Sequence, residues 1–340
     1  MPRVSVIMPV YNASRYLRES IDSILSQSFD DFEFLIFNDG SVDDSAEIIR
    51  SYKDERIILQ DFEFNQGYAK LLNLGFARSR GEFIARMDAD DVAHPLRLEK
   101  QFYFLSNNPD HVVCGTNYMV IDGTESSNLP TDDEEIKLCM LSITPLCHPS
   151  VMIRTQTLRD HQLFYIPEHM PAEDHELWVR LSGYGRFHNL PEKLFYYRVH
   201  DNNISLKERT ETQKQNLIDS QKNYIFEFFK EAGINEMEIE LLHQLFFKES
   251  GYQLLELERI GRLVQQIILK NSTYPVPSRR VHHFLEEKFH YRCTTSTYLG
   301  LKAFIVANKF NIKGIPIMSN VKLLAKALIK YRSTSFQGPI

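Results

Sequence analysis

Strand-like and helix-like segments alternate through the N-terminal part of the chain, and this alternation constrains the fold more than any other feature of the sequence. Val4–Val10 is a nearly continuous apolar run rich in β-branched residues, as expected of a strand that is buried on both faces. Similar runs follow at 32–37, 56–60 and 82–87. Segments with helical spacing of apolar residues separate them, at 16–25, 44–52 and 69–79. This order predicts βαβ units and therefore an α/β fold with a mostly parallel central sheet.

Beyond residue 91 the pattern changes in two steps. Predicted helices at 95–106 and 171–181 mix with predicted strands at 112–122 and 194–199. From Leu206 to about His290 the strand signals disappear, and apolar residues fall at helical spacing. The length of 340 residues also exceeds the roughly 250–300 at which one hydrophobic core stops growing. We therefore expect an α/β domain over residues 1–205, an α-helical extension over 206–290 and a basic helical tail over 291–340.

The predicted tail differs from the rest of the chain in charge. Residues 291–340 carry eight Lys or Arg and no Asp or Glu; since the whole chain has a net charge of −6, residues 1–290 carry −14. Lys322, Lys326 and Lys330 share one helical face. Such a basic amphipathic helix is typical of attachment to an anionic membrane surface, although a helix packed on the domain with its lysines in water fits the pattern too. The acidic remainder argues against a nucleic-acid partner.

The sequence favours a cytoplasmic protein. No signal-peptide-like apolar segment follows Met1, and the four cysteines form no CxxC pair. The longest stretch without a formal charge, residues 138–153, contains Pro145 and Pro149 and is shorter than the roughly 20 apolar residues of a membrane span. We expect a cytoplasmic location, with peripheral attachment to the inner face of the cell membrane if the basic tail binds lipid.

The segment Asp88-Ala89-Asp90-Asp91 has three carboxylates directly after a predicted strand. Carboxylate oxygens are the ligands that Mg²⁺ or Mn²⁺ prefers, and such ions usually share one or two carboxylates with the phosphates of a substrate. An acidic turn that caps the next helix would give the same pattern. The residues by themselves therefore leave a metal site and a simple acidic turn open.

Two further polar loops follow the first two predicted strands, Pro9-Val10-Tyr11-Asn12 and Asn38-Asp39-Gly40-Ser41. In open α/β sheets, ligands bind outside the carboxyl ends of the strands, where such loops converge. Asp39 is suited to accept a hydrogen bond from a nucleobase N–H, and Tyr11 is suited to stack on the base. Each loop alone is also typical of an ordinary strand-to-helix turn, but polar loops at three strand ends favour a ligand site.

Together with motifs further along the chain, these loops resemble glycosyltransferase family 2, whose members have the GT-A fold, a Rossmann-like domain of nucleotide-diphospho-sugar transferases. The matching residues, in the order of the family, are Pro9–Asn12, Asn38–Ser41, Asp43, Asn65, Gly67, Ala69, Asn73, Gly75, Ala77, Gly81, Asp88–Asp91, His148–Ser150, Glu173, Asp174, Leu177, Trp178 and Tyr197–His200. The resemblance covers about residues 3–205 and leaves the helical remainder uncovered.

The resemblance implies roles for these residues. Asp90 would be the principal ligand of a divalent metal, Mn²⁺ or Mg²⁺, and His200 a second contact to the metal or the diphosphate. A lone histidine after a strand is otherwise a surface or packing residue, although neutral imidazole does suit divalent metals. The nucleotide-sugar-binding residues that the resemblance implies are Pro9, Val10, Tyr11, Asn12, Asp39, Asn65, Gly67, Lys70, Asp88 and Ala89.

Asp174 is the residue that the resemblance assigns as catalytic base, which takes the proton from the acceptor hydroxyl. It follows Pro171 and Glu173 and falls in the first turn of a predicted helix, where the helix dipole favours negative charge. The dipole gives Glu173 and Glu176 an alternative, structural explanation, and it also predicts that Asp174 stays ionised, as a base must. Trp178, one turn further on, fits either a core residue or a wall of the acceptor site.

The implied function is metal-dependent transfer of one sugar, of the hexosyltransferase type, from a nucleotide-diphosphate sugar to an acceptor hydroxyl, with inversion. UDP is the default nucleotide, and the acceptor would be a saccharide or lipid-linked saccharide in cell-surface polysaccharide assembly. The Gln-x-x-Arg-Trp signature of processive synthases is absent, which favours single-sugar addition. One alternative is a non-catalytic nucleotide-sugar-binding or regulatory module, which does not need Asp174 and His200. Another is a nucleotidyltransferase or dehydrogenase, although the GxGxxG and GxxxxGK[ST] cradles are absent.

Overall fold

An eight-stranded sheet forms the centre of the computed structural model of the chain, which describes residues 1–201, 203, 209–270, 272–296, 299 and 301–310. The strands are β1 (Val4–Val10), β2 (Phe32–Asp39), β3 (Ile57–Phe62), β4 (Phe83–Arg86), β5 (Val92–Ala93), β6 (His111–Val120), β7 (Met152–Arg154) and β8 (Arg186–Tyr197). They lie in the order β3-β2-β1-β4-β7-β6-β8-β5.

One half of the sheet, β3-β2-β1-β4, is entirely parallel, as the alternating pattern predicts. In its middle, Val6 of β1 is in register with Phe34 of β2 and Ala85 of β4. All three side chains are fully buried, which explains why these strands have continuous apolar runs instead of alternating apolar and polar residues. Because the strands are parallel, the loops after β1, β2 and β4 leave from the same edge of the sheet.

The other half of the sheet contains antiparallel strands. β7 pairs antiparallel with β4 and β6, β8 runs parallel to β6, and β5 pairs antiparallel with β8. The sequence pattern missed β5 and β7 because strands of two and three residues are too short to show a period. Four of the seven pairings among the described strands are parallel, so the predicted α/β fold with a mostly parallel sheet is confirmed.

Helices connect these strands and pack on the sheet. They are α1 (Leu17–Leu25), α2 (Ser45–Ser51), α3 (Tyr68–Arg78), α4 (Arg97–Asn107), α5 (Asp133–Cys139), α6 (Thr155–Asp160) and α7 (Glu173–Leu181). In α1, Leu17, Ile21 and Ile24 are buried, and their spacing puts them on one helical face. The helix α3 approaches β1 closely, since a Cβ at Gly75 would lie 2.7 Å from the Ile7 side chain. This packing fixes the loops that leave the carboxyl edge of the sheet.

The chain forms two compact units, Met1–Ser220 and a second unit that begins at Gln221. The helices of the C-terminal region are α8 (Glu211–Phe229), α9 (Glu236–Phe247), α10 (Leu254–Lys270), α11 (Ser278–Thr295) and α12 (Leu301–Lys309). Asn235 and Glu238 form a capping box at the start of α9, in which each side chain accepts the other residue's backbone N–H. The predicted helical extension is confirmed, and the predicted boundaries at 205 and 290 stay predictions.

The predicted basic tail falls mostly on residues that are not described. Residues 311–340, which include Lys322, Lys326 and Lys330, lie outside the described residues, so the amphipathic tail stays a prediction. Within the part of the chain that is described, no helix is both long enough and apolar enough to cross a membrane.

Candidate active site

Hydrogen bonds join the loops after β1 and β2 at the carboxyl edge of the sheet. Asn12 has a positive φ of 49°, a conformation that asparagine tolerates better than most residues. Its Oδ1 accepts the Val42 backbone N–H at 2.9 Å, and its own backbone N–H donates to the Ser41 hydroxyl at 3.0 Å. Pro9, the first residue of the β1 motif, is half-buried at the end of the strand. The two loops therefore form one connected wall of the site.

Asp39 lies behind this wall and organises a third loop. Its carboxylate is buried and accepts two backbone N–H groups, from Gln66 at 2.6 Å and from Gly67 at 3.1 Å. Gly40 allows the same loop to approach, because a Cβ there would lie 2.8 Å from the carbonyl carbon of Phe64. The sequence predicted Asp39 only as a partner of a nucleobase. Each carboxylate oxygen has a second lone pair, so both roles are compatible.

The other predicted nucleotide-sugar-binding residues differ in exposure. Tyr11 is 53% exposed, and Asn65 and Lys70 are exposed as well, so all three side chains are open to a ligand. Val10 and Ala89 are buried in the apolar core. For these two residues, the prediction therefore concerns the backbone alone.

The acidic loop after β4 brings three carboxylates together. Oxygen atoms of Asp88, Asp90 and Asp91 all lie within 4.8 Å of one another. Asp88 Oδ1 lies 3.0 Å from Arg86 Nη2, and Asp90 Oδ2 lies 2.8 Å from His200 Nε2. The contact between Asp90 and His200 joins residues that are 110 positions apart and that the resemblance assigns to one metal site.

Asp91 has a different environment from the other two acids. It is 1% exposed, and its Oδ1 accepts the Arg198 backbone N–H at 2.8 Å. The Arg198 side chain donates to the Asp90 carbonyl at 2.8 Å, and its guanidinium lies 4.4 Å from the centre of the Tyr16 ring, which also contacts His200. Asp91 and Arg198 therefore tie the acidic loop to the end of β8. No sequence signal indicated a role for Tyr16 at the site, and sequence reasoning assigned no role to Arg198 although that residue lies within a matching motif.

The electrostatics of the loop fit a divalent cation. Burial raises the pKa of Asp88 although Arg86 opposes the rise, and burial together with the charges of Asp88 and Asp90 raises the pKa of Asp91 well above its ordinary value. Asp91 Oδ2 is buried and, among the described residues, has no hydrogen-bond partner. Carboxylate oxygens with one imidazole are suitable ligands for Mn²⁺ or Mg²⁺, and a cation would relieve the repulsion between the acids.

The predicted base, Asp174, lies in the first turn of α7 with Glu173. Its Oδ1 accepts the His175 backbone N–H at 2.6 Å. Burial raises the pKa of Asp174 although the helix dipole favours its ionised form, so the ionised state expected of a base stays a prediction. Glu173 is 3% exposed, its Oε1 accepts the Tyr68 hydroxyl, and burial followed by the charge of Asp174 raises its pKa to about 8. Desolvation outweighs the dipole for both acids.

Arg86 connects the acidic loop with this pair electrostatically. Its positive charge opposes the rise in the pKa of both Asp88 and Asp174. Its guanidinium carbon lies 5.9 Å from the centre of the Tyr68 ring. Sequence reasoning missed Arg86 and Tyr68, although Arg86 stands two residues before Asp88 and an arginine at the end of a buried strand could have indicated a paired charge.

A second polar contact lies near Arg86. His148 Nε2 lies 2.7 Å from the Tyr165 hydroxyl, and burial, then the charge of Arg86, lowers the pKa of His148 well below its ordinary value. Trp178 is fully buried and meets His148 edge-on, with ring centres 5.9 Å apart. The structure therefore favours the core role for Trp178. Tyr165 was not identified from the sequence, since its partner lies in a different motif.

Comparisons with known proteins identify the family. The pattern described as glycosyl transferase family 2 matches residues 5–162. An uncharacterized glycosyltransferase of Haemophilus influenzae is 34% identical over 232 residues, which are 63% of this chain and 72% of the relative. The chain belongs to glycosyl transferase family 2. The chain itself is also 32% identical to the O-antigen biosynthesis glycosyltransferase WbnJ of Escherichia coli over 208 residues, which are 58% of this chain and 80% of WbnJ.

Solved structures support the fold of this glycosyltransferase. Staphylococcus aureus TarS 1–349 in complex with UDP-GlcNAc has a TM-score of 0.59 at 19% identity, covering 96% of this chain and 89% of that one. The Pyrobaculum calidifontis mannosyltransferase PcManGT in complex with GDP-Man and Mn²⁺ has a TM-score of 0.50 at 15% identity, with 97% and 81% covered. The predicted GT-A-type fold is confirmed.

Proposed function

We propose that this glycosyltransferase transfers one sugar from a nucleoside-diphosphate sugar, with UDP as the first candidate, to an acceptor hydroxyl with inversion of configuration. The contact of Asp90 with His200 carries the proposal, because it unites two motifs from distant parts of the chain at the carboxyl edge of the sheet. Asp174 provides a carboxylate that is electrostatically connected to this cluster through Arg86.

The donor would lie along the three loops of the carboxyl edge. Tyr11 would stack on the base, and Asp39 would accept a base N–H on a lone pair that Gln66 and Gly67 leave available. Lys70, exposed in the first turn of α3, would contact the phosphates as a point charge. TarS and PcManGT are solved with UDP-GlcNAc and GDP-Man, which supports a nucleotide sugar but leaves the base and the sugar to experiment.

Asp88, Asp90 and His200 would hold a divalent cation, Mn²⁺ or Mg²⁺, and PcManGT is solved with Mn²⁺. When bound, the cation neutralises charge that develops on the departing diphosphate, an effect of several kcal/mol in other metal enzymes. Asp91 would hold the loop in place through the Arg198 backbone N–H.

Asp174 would act as the general base. It would take the proton from the acceptor hydroxyl while that oxygen attacks the anomeric carbon and the diphosphate leaves from the opposite face. Burial raises the pKa of Asp174, and a raised pKa makes a carboxylate a better proton acceptor near neutral pH. Neighbouring Glu173 would hold a proton under the same conditions, since its pKa is raised to about 8.

The acceptor would be a saccharide or a lipid-linked saccharide in cell-surface polysaccharide assembly. The name of WbnJ, an O-antigen biosynthesis glycosyltransferase, supports this setting. The excess of Lys and Arg over residues 291–340 supports docking on an anionic membrane surface. Flotation with anionic liposomes tests the docking, and protein that stays at the bottom of the gradient would rule it out.

The experiment that tests the proposed function is calorimetric titration with UDP in Mn²⁺ and then in EDTA. Asp90→Asn is compared with Asp110→Asn, which changes an acid ahead of β6, at the opposite edge of the sheet from the acidic loop. Wild type and Asp110→Asn should bind UDP with Mn²⁺, and Asp90→Asn should bind roughly 100-fold more weakly or not at all. No binding of UDP, GDP, dTDP or CDP by folded wild type would overturn the proposal. Binding without sugar transfer to any acceptor would favour the non-catalytic alternative.

A further inference from the structure

The guanidinium of Arg86 has more hydrogen-bond donors than acceptors near it. The residue is 6% exposed, and its Nη2 lies 3.0 Å from Asp88 Oδ1. Within the described part of the chain, its Nε and Nη1 are buried and have no hydrogen-bond partner. A buried charged donor without an acceptor is unfavourable. Such a group beside a substrate site therefore indicates an acceptor that comes from outside the chain.

The position of Arg86 indicates which part of the substrate supplies that acceptor. Its Nη2 pairs with Asp88. Its guanidinium contacts Tyr68, whose hydroxyl donates to Glu173, the residue before Asp174. In the proposed reaction, the diphosphate lies at the acidic loop and the acceptor oxygen lies at Asp174. The transferred sugar spans the space between these two groups, so Arg86 lies beside the sugar.

Glu173 adds a second unused polar atom to these surroundings. Its Oε2 is also buried and, among the described residues, without a partner, whereas its Oε1 accepts the Tyr68 hydroxyl. The Tyr68 ring in turn contacts the Arg86 guanidinium, so the unused atoms of Arg86 and Glu173 belong to one connected cluster. Oε2 can accept a hydrogen bond whether or not Glu173 is protonated, and a sugar hydroxyl can donate to it while another accepts from Arg86. Sugar hydroxyls therefore match the unused groups of this cluster.

We propose that Arg86 donates hydrogen bonds to a hydroxyl group of the transferred sugar and thereby contributes to the choice of donor sugar. The inference rests on the proposed function and deepens it. The two nitrogens are covered in this structure, so the hydroxyl reaches them through a rotation of the guanidinium. Among the described residues, the ion pair with Asp88 through Nη2 is the one hydrogen-bonding contact of that guanidinium. The rotation therefore breaks no hydrogen bond of Nε or Nη1.

The test compares Arg86→Lys with Arg154→Lys. Lysine keeps the positive charge for Asp88 but lacks the planar set of donors. Arg154 is a half-buried arginine of β7, and it lies beside Phe83 at the opposite end of β4 from the site. For each protein, calorimetry in Mn²⁺ measures the affinities of UDP, UDP-glucose, UDP-galactose and UDP-N-acetylglucosamine. Thermal melting shows that each variant is folded.

The expected result separates the nucleotide from the sugar. Arg86→Lys should bind UDP like the wild type but should bind the preferred UDP-sugar roughly tenfold more weakly, the effect of one lost charge-assisted hydrogen bond. Arg154→Lys should match the wild type for every ligand. Equal losses for UDP and UDP-sugar would overturn the inference, because Arg86 would then act through the diphosphate and Asp88. Unchanged affinities would overturn it as well.

Monodeoxy analogues of the preferred UDP-sugar give a second test that does not depend on the stability of a variant. One of them should bind wild type roughly tenfold more weakly than the parent sugar does, and Arg86→Lys should no longer distinguish the two. If wild type binds every monodeoxy analogue as well as the parent, the inference fails while the proposed function stands. If wild type binds no UDP-, GDP- or dTDP-sugar at all, the proposed function fails first.

Discussion

The acids in two regions of the site have pKa values that are shifted in opposite directions. In the loops after β1 and β2, Asp43 accepts the backbone N–H groups of Ser14 and Ser45; burial alone would raise its pKa, but the hydrogen bonds outweigh burial and lower it. Beyond β4 and at the start of α7, burial raises the pKa of Asp88, Asp91, Glu173 and Asp174. The first region satisfies its carboxylates from within the chain. In the second region, Asp91 Oδ2 and Glu173 Oε2 have no such partner among the described residues.

The difference matches the roles that we propose for the two regions, a scaffold and a reaction site. The carboxylate of Asp39, like that of Asp43, accepts backbone N–H groups. These hydrogen bonds hold the loops after β1, β2 and β3 in place before any ligand binds. Each buried polar group without a partner costs about 1–3 kcal/mol, and among the described residues Arg86, Asp91 and Glu173 carry such groups in the second region. Substitutions in the first region should therefore affect stability and donor binding while kcat is retained, whereas loss of Asp174 in the second region should lower kcat.

The largest effect is expected from Asp174→Asn. Removal of the proposed base should lower kcat roughly 10²–10⁴-fold, while the affinity for UDP and Mn²⁺ stays as in the wild type. Steady-state transfer kinetics and calorimetry check the two halves of this prediction, with Asp110→Asn as the matched control. A kcat within tenfold of the wild type would mean that another group takes the proton.

A pH-dependent effect on stability is expected from Glu173→Gln. Since the pKa of Glu173 is raised from 4.5 to about 8, its contribution to stability is fully present below pH 4.5 and is lost as the pH rises through about 8. Glutamine does not ionise, so the variant should gain stability relative to the wild type between about pH 5 and about pH 9. Melting temperatures at both pH values measure this change.

Glu176→Gln is the control for that pH series. Glu176 lies in the same helix and forms an ion pair with Arg180 at 2.5 Å. Its replacement should therefore lower the melting temperature by a similar amount at both pH values. A pH-independent difference for Glu173→Gln as well would contradict the prediction.

A smaller effect, on binding and stability together, is expected from Asp39→Asn. The amide NH₂ group would face the backbone N–H of Gln66 or Gly67, which should cost about 1–3 kcal/mol of the free energy of unfolding and raise the KM for the donor. Because the chemistry lies elsewhere, kcat should be retained. Urea denaturation and steady-state kinetics measure both quantities. Asp44→Asn, an exposed acid of the neighbouring loop, serves as control, and a large fall in kcat for Asp39→Asn would remove the distinction between the regions.

The smallest effect is expected at Asn12. Both Asn12→Gly and Asn12→Ala lose the hydrogen bond from Val42, but only alanine is also strained at a φ of 49°. The alanine variant should therefore be less stable than the glycine variant by about 1 kcal/mol, as urea denaturation would measure. Equal stabilities would show that the loop rearranges instead of keeping this conformation.

The sequence predicted the fold best where the signal was local and repeated. The strands β1 to β4 are long enough for their apolar runs to be recognised, and the helices between them repeat apolar residues at helical spacing. β5 and β7 gave no such signal, and they exist because β8 and the neighbours β4 and β6 provide hydrogen-bonding edges. The three site loops were predicted to converge because parallel strands send their carboxyl ends to one edge.

By itself, the sequence determined the α/β order, the helical C-terminal region and the set of motifs that identify the family. All three depend on patterns among residues that are close in the chain. Only the tertiary structure decided that His200 meets Asp90, that Asp91 is tied to Arg198, and that Arg86 acts on the distant Asp174 as well as on Asp88. It also decided the electrostatics of Asp174, where burial outweighs the helix dipole that the sequence indicates. The physical reason is that burial and partner distance depend on the packing of segments far apart in the chain, and no local pattern of residues contains them.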